Sequence, residues 1–184
     1  MDLKIISEIA ENSLKFDSRP QELKDLIRRP ESFRYYNFLS EAARAFNPEL
    51  IVELGTNRGV SALHFRHGNK NSRIISIDIR QSAEVKSKLI KECIIPIEMD
   101  SIKAAERISS GIGILFVDSL HTFEHVQKEI LAYIPKMMKP SLIFMDDILL
   151  DTGMKAAWDA IISFDKIVIM ELHPTTGFGI VIVK

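Results

Sequence analysis

One cysteine, Cys93, is too few for an internal disulfide, so no covalent staple and no oxidising compartment is called for in this 184-residue chain. Long apolar runs are missing too. None approaches the roughly 18 residues of a membrane helix, and charges interrupt the opening stretch MDLKIISEIAENSLKF, which therefore does not read as a secretory leader. An excess of one charge is also lacking: 24 Lys plus Arg face 25 Asp plus Glu, for a net charge of −1. That balance gives no electrostatic case for nucleic acid or an anionic membrane as partner. The expected protein is cytoplasmic. There are no repeats, low-complexity tracts or Gly/Ser linkers, and a chain of this length buries roughly 70% of its unfolded surface, so one domain over residues 1–184 is expected.

Two phosphate-loop signatures are absent as well. The stretch IVELGTNRGVSALHF, residues 51–65, passes from an apolar run through two glycines into an amphipathic segment, but Asn57 stands where a G-x-G-x-x-G loop needs glycine. No Gly-Lys-Ser/Thr follows, which excludes a Walker loop. What is present is Glu53, Gly55 and Gly59, an E-x-G-x-x-x-G turn between a strand and a helix. Glycine allows close backbone approach to a ligand, and an acid beside it disfavours a pyrophosphate and favours a cation.

Around this turn the pattern is that of an α/β protein. Residues 1–47 form a helical segment in which Tyr35, Leu39, Ala42 and Phe46 share one face of a helix over 31–46, stopped by Asn47 and Pro48. From 48 to 184 seven short apolar runs follow: LIVEL, RIISID, CIIPIEM, GILFVD, LIFMDD, KIVIMEL and GIVIVK. Ile- and Val-rich runs with little alternation read as strands covered on both faces, hence a mostly parallel sheet. Helices are expected over 61–67, 83–92, 102–108, 122–134 and 154–164, the fourth burying Phe123, Val126, Ile130 and Ile134. Only HPTTGF separates the last two runs, so they pair as an antiparallel hairpin. Trp158, Ile161 and Ile162 are expected in the core, and Cys93 as a small buried hydrophobe.

Acids end several of the runs. Asp78 lies 23 residues beyond Gly55 at the tip of the second, a place from which a carboxylate grips a ribose diol. The bland alternatives are a helix N-cap for Asp78 and a solvated strand end for Glu53. Together the two acids favour a nucleoside with a cationic or zwitterionic tail. Asp118, Asp146 and Asp147 end the fourth and fifth runs, whose tips a doubly wound sheet brings together. Three carboxylates on one rim call for a proton or a hard cation such as Mg²⁺. Asp146 and Asp147 can both face it only if the chain turns there, since neighbours on a strand alternate faces. His121, three residues after Asp118, is either a base at the mouth of the site or an exposed helix-start histidine. His125, one turn on, reads as helix surface.

VELGTNRGVS, ISIDI and FVDSLHTFEHVQKEI through IFMDDI together resemble the class I S-adenosylmethionine-dependent methyltransferases, in the branch of catechol O-methyltransferase and the cephalosporin-hydroxylase-like methyltransferases. The resemblance spans roughly residues 30–184. It implies a three-layer Rossmann-like fold with N-terminal helices and a seven-stranded sheet in the order 3-2-1-4-5-7-6, the last strand antiparallel. It also implies that Glu53, Gly55, Thr56, Asn57, Gly59 and Ser61 surround the methionine part of the cofactor, that Asp78 holds the ribose, and that Asp100 and Ser101 contact the adenine. By the same resemblance Asp118, beside the cofactor, joins Asp146 and Asp147 around a divalent ion, with Asp118 and His121 serving catalysis.

There are two departures from that pattern: Ser119 replaces the glycine of Asp-Gly-x-His, and Ser141 and Leu142 replace the glycines of Lys-Pro-Gly-Gly. Both bear on the substrate class. The expected activity is metal-assisted O-methylation of a small-molecule acceptor, with homodimer formation through the N-terminal segment or the terminal hairpin as a possible assembly. The alternatives are a metal-independent methyltransferase using His121, a non-catalytic S-adenosylmethionine-binding module, and an NAD-dependent dehydrogenase.

Overall fold

The computed structural model describes residues 2–28 and 33–184, so Met1 and residues 29–32, including the first two positions of the helix expected over 31–46, lie outside the described residues. Seven strands form where the apolar runs stand: β1 (Leu50–Leu54), β2 (Arg73–Asp78), β3 (Ile94–Glu98), β4 (Ile112–Val117), β5 (Met137–Met145), β6 (Asp165–Val168) and β7 (Gly179–Val183). They make one sheet in the order β3-β2-β1-β4-β5-β7-β6, with β7 antiparallel to both neighbours. The expected order and hairpin are those found.

Side chains on a strand alternate between faces, and each face is covered. Ile51, Ile74, Phe116, Phe144 and Ile180 pack under α1 (Leu3–Lys15), α3 (Phe33–Phe46), α4 (Val60–Gly68) and α5 (Ala83–Lys91). Val52, Leu54, Leu115, Met145 and Val181 pack under α6 (Ser101–Ala104), α7 (Phe123–Tyr133) and α8 (Thr152–Asp159). A four-residue helix, α2 (Gln21–Lys24), lies between α1 and α3. No helix among the described residues is long and apolar enough to cross a membrane.

Several expected boundaries move. β5 begins at Met137, ahead of the run LIFMDD, so Ser141 as well as Leu142 sits inside a strand, opposite Val183 and Ile182. β6 ends at Val168 and the chain leaves the sheet before Met170. The helix over 102–108 is a single α turn, α6, followed by a 3-10 turn over Ala105–Arg107. On α7 the buried set is Val126, Glu129, Ile130 and Tyr133, while Phe123 is exposed. α8 stops at Asp159, which keeps Trp158 and Ile161 in the core and leaves Ile162 84% exposed. Cys93 is exposed, not buried: it sits at φ 56° in the turn before β3, and the strand starts one residue later.

The chain runs outward from β1 to β3 and returns to the other side of β1 with β4. Connections on either side of β1 therefore diverge, leaving a crevice beyond the carboxyl ends of β1 and β4. The residues of interest gather there.

Candidate active site

The glycine turn is set by how closely β1 and β4 approach. Gly55 has φ 96°, and a Cβ there would lie 1.7 Å from the carbonyl oxygen of Asp118. Its N–H donates to the Ile77 carbonyl at 2.8 Å. Only glycine fits both conditions. Gly59, at φ 72°, is the N-cap of α4, and Asn57 between them is also left-handed, at φ 45°. Asp78 braces this turn: its Oδ2 accepts from the Asn57 N–H at 2.8 Å and its Oδ1 from the Arg80 N–H at 3.1 Å. It is not a helix N-cap, a role that Ser82 fills for α5.

Glu53 takes the next position on the face that carries Ile51, and so points beneath α4. It is fully buried and does not line the cavity, contrary to both readings of the sequence, a solvated strand end or a contact to the ligand. The hydroxyls of Ser61 on α4 and Ser76 on β2 donate to its two oxygens. Burial outweighs those bonds and pushes its pKa up to about 8, so near neutrality it is mostly the neutral acid. Behind it, Gln81 donates to Thr56 at 2.7 Å, and Thr56 and Ser76 hydroxyls meet at 2.7 Å.

On the adenine side of the expected site, Asp100 caps α6 by accepting from the Lys103 N–H at 3.0 Å. Ser101 donates to Glu129, which also accepts from Ser119 at 2.7 and 2.8 Å. His125 Nε2 lies 3.1 Å from both Ser101 Oγ and Glu129 Oε1. His125 is thus part of a buried cluster on the cavity wall and not helix surface. Burial raises the pKa of Glu129 against these hydrogen bonds. Ser119, the departure from glycine, serves this cluster.

At the tips of β4 and β5 the acidic rim forms as the sequence required. β5 ends at Met145, and Asp147 turns the chain at φ 56°, so Asp146 and Asp147 both reach the cavity. The three acids form two overlapping groups. Donor atoms of Asp118, His121 and Asp147 lie within 4.8 Å of one another, and so do those of Asp146, Asp147 and His173. His121 precedes α7 in a loop, with Nε2 3.4 Å from Asp118 and Nδ1 3.7 Å from Asp147. Its pairing with Asp118 raises its pKa. Burial and the neighbouring acids raise that of Asp118.

His173 and Thr176 were not singled out from the sequence, where HPTTGF offered few distinctive groups. The signal was available in the topology, because an antiparallel β7 beside β5 brings the residues before β7 against those after β5. The aromatic wall was missed also. Tyr35 and Tyr36 on α3 line the cavity, Tyr35 edge-on to His173 with centroids 5.4 Å apart and Tyr36 stacked on His64 at 5.0 Å. Leu26, Ile27 and Arg28 complete that side.

Asp78, Asp100, Ser101, Asp118, Ser119, His121, His125, Asp146, Asp147 and His173 border one chamber of about 800 Å³, within the range of small-molecule sites, whereas Glu53, Glu129 and Thr176 lie behind its wall. Gly59 also stands back from it, under Leu89, whereas Ser61 borders it.

A family model described as a methyltransferase domain matches residues 52–148, more than half of the chain. The chain belongs to this family. Three solved structures share the methyltransferase's fold. A methyltransferase of Podospora anserina bound to SAH is 14% identical, with 100% of this chain and 97% of that one covered at a TM-score of 0.71. The O-methyltransferase of Bacillus cereus in complex with SAH is 14% identical, covering 100% and 92% at 0.65. TomG of Streptomyces achromogenes, an O-methyltransferase of tomaymycin synthesis in complex with SAM, is 15% identical, covering 100% and 91% at 0.68. No curated protein matches. Family and sheet order are together those of the class I S-adenosylmethionine-dependent methyltransferases, and the dehydrogenase alternative falls away.

Proposed function

We propose that this methyltransferase moves a methyl group from S-adenosylmethionine to a hydroxyl oxygen of a small molecule, with a divalent cation, Mg²⁺ first among those suited to oxygen ligands, at the acidic rim. One observation carries the reading: the carboxylate of Asp78 and the rim of Asp118, Asp146 and Asp147 open into the same chamber. The chamber fits an adenosyl group, because apolar Ile77, Ile79 and Leu120 lie beside Asp78 and Asp100, acceptors for hydroxyl and amino hydrogens. The rim fits a cation. Its donors fall into two triads that share Asp147, and Asp146 Oδ1 is buried with no hydrogen bond.

When bound, S-adenosylmethionine would supply the methyl group from its sulfonium and leave as the neutral thioether S-adenosylhomocysteine, and a cation held by Asp118, Asp146 and Asp147 would lower the pKa of the acceptor hydroxyl. The protein's own part is mainly orientation, for which effective molarities of about 10⁵ to 10⁸ M are attainable. Asp78 fixes the nucleoside end, Gly55, Thr56, Asn57 and Ser61 border the methionine end, and Ser101 stands at the base. Tyr35 and Tyr36 wall the acceptor side and exclude water. His121 takes the hydroxyl proton at a ring nitrogen, its basicity increased by Asp118.

Turnover of S-adenosylmethionine against a panel of phenols and catechols, with and without EDTA, tests the proposal. Activity should vanish with chelation and in Asp146→Asn; activity untouched by either removes the metal. The position of His121 beside Asp118 supports a second reading, base catalysis without a cation, which predicts EDTA resistance together with strong loss in His121→Ala. Binding of S-adenosylmethionine without turnover on any acceptor would leave a non-catalytic module.

A further inference from the structure

Resting on the reading of Asp146 and Asp147 as metal ligands, we infer that His173 and Thr176 are positioning residues that hold these two carboxylates in the orientation in which they meet a cation. Both come from the loop between β6 and β7, distant in sequence from the acids. Thr176 donates its hydroxyl hydrogen to Asp147 Oδ1. What Thr176 then turns toward His173 Nδ1, 2.8 Å away, is a lone pair, so Nδ1 carries the hydrogen. The same Nδ1 stands 3.0 Å from Asp146 Oδ1 and 3.5 Å from Asp147 Oδ1. The hydroxyl therefore bonds Asp147, and the imidazole N–H that Thr176 accepts stands close beside both acids without using up Asp146 Oδ1.

The geometry of the loop keeps them there. Gly177 N–H closes a turn on the His173 carbonyl at 2.9 Å, and the Leu149 N–H, just past the acidic pair, donates to the Thr176 carbonyl at 2.7 Å. Gly177 is left-handed at φ 76°, and a Cβ on it would sit 3.2 Å from Ile148 and Leu149 side chains. The loop thus lies directly on the segment after β5. On its other side His173 is held edge-on by Tyr35. Neutral N–H and O–H donors can fix the direction of a carboxylate while leaving its negative charge for a cation, the arrangement by which partners behind metal ligands tune affinity. Asp146 Oδ1 supports this, since it is buried, borders the chamber, and is not consumed by a hydrogen bond.

Mn²⁺ binding to the full chain, followed by the loss of the free-ion electron paramagnetic resonance signal, provides the test, with SAH affinity measured by calorimetry on the same samples. His173→Leu and Thr176→Val should each weaken Mn²⁺ binding by about 10- to 100-fold. His173→Asn, whose amide N–H can replace Nδ1–H, should restore most of it. SAH affinity should stay unchanged throughout, because Asp78 lies on another strand. Equal Mn²⁺ affinity in the wild type, His173→Leu and Thr176→Val overturns the inference and leaves the metal site standing. A loss that His173→Asn does not restore is a packing effect and also overturns it. A wild-type protein that takes up no Mn²⁺ removes the metal reading and this inference together.

Discussion

Replacing Glu53 by Gln removes a proton-binding site and little else, since an amide of the same shape still bonds the hydroxyls of Ser61 and Ser76. In the folded protein burial lifts the carboxyl from 4.5 to about 8. Between those values the folded state holds a proton that the unfolded chain has released. Its stabilisation is therefore complete below pH 4.5 and is lost as pH rises through about 8. At about 1.36 kcal/mol per pH unit, with the curve flattening near its upper pKa, the wild type should lose about 2.3 kcal/mol relative to Glu53→Gln between pH 6 and pH 8. His64, whose pKa burial lowers to about 4, works in the opposite sense, but it is common to both proteins and cancels in the difference. Urea unfolding at pH 6, 7 and 8 measures the effect. With an m value of about 2 kcal/mol/M, the gap between the two midpoints should shift by roughly 1 M across the series. Parallel profiles for the two proteins would refute the account of Glu53 as a buried, largely neutral acid.

Gly55→Ala should destabilise the fold by more than about 3 kcal/mol, because the new Cβ meets the Asp118 carbonyl, whereas Gly111→Ala, equally left-handed but with open space around it, should cost only about 1 to 2 kcal/mol of strain; urea melts compare them. Asp78→Ala should weaken SAH binding by about 10- to 100-fold in calorimetry, the worth of hydrogen bonds to a charged group. Ile161→Ala should cost about 2 to 4 kcal/mol and Ile162→Ala less than about 0.5, reflecting a buried and an 84% exposed neighbour.

The seven strands were legible because dense Ile and Val runs, buried on both faces, admit few other conformations, and the short spacing before β7 dictated the antiparallel pairing. The turn at Asp147 was legible as a condition, since two adjacent ligands cannot share a side of a continuing strand. The direction of Glu53 could have been read from its place two residues after Ile51. Its burial could not, because the hydroxyls that make it tolerable come from positions 61 and 76. Glu129 escaped for the same reason: it interrupts an otherwise apolar helix face, and its partners Ser101 and Ser119 lie 28 and 10 residues away. Ile162 was placed inside by extending α8 past Asp159, where the chain leaves the helix. The misreadings of Glu53 and Glu129 concern polar contacts between distant segments and that of Ile162 a helix end, neither of which periodicity records.

In the sheet β6 touches only β7, and β7 is inserted between β5 and β6. As the chain emerges in order, β6 has no strand to pair with until β7 has arrived. The glycine turn, Asp78 and the tips of β4 and β5 belong to segments that can assemble earlier, through neighbours already made. His173 and Thr176 are thus made after every other group of the chamber, and a chain stalled after α8 would present Asp146 and Asp147 without these two neighbours.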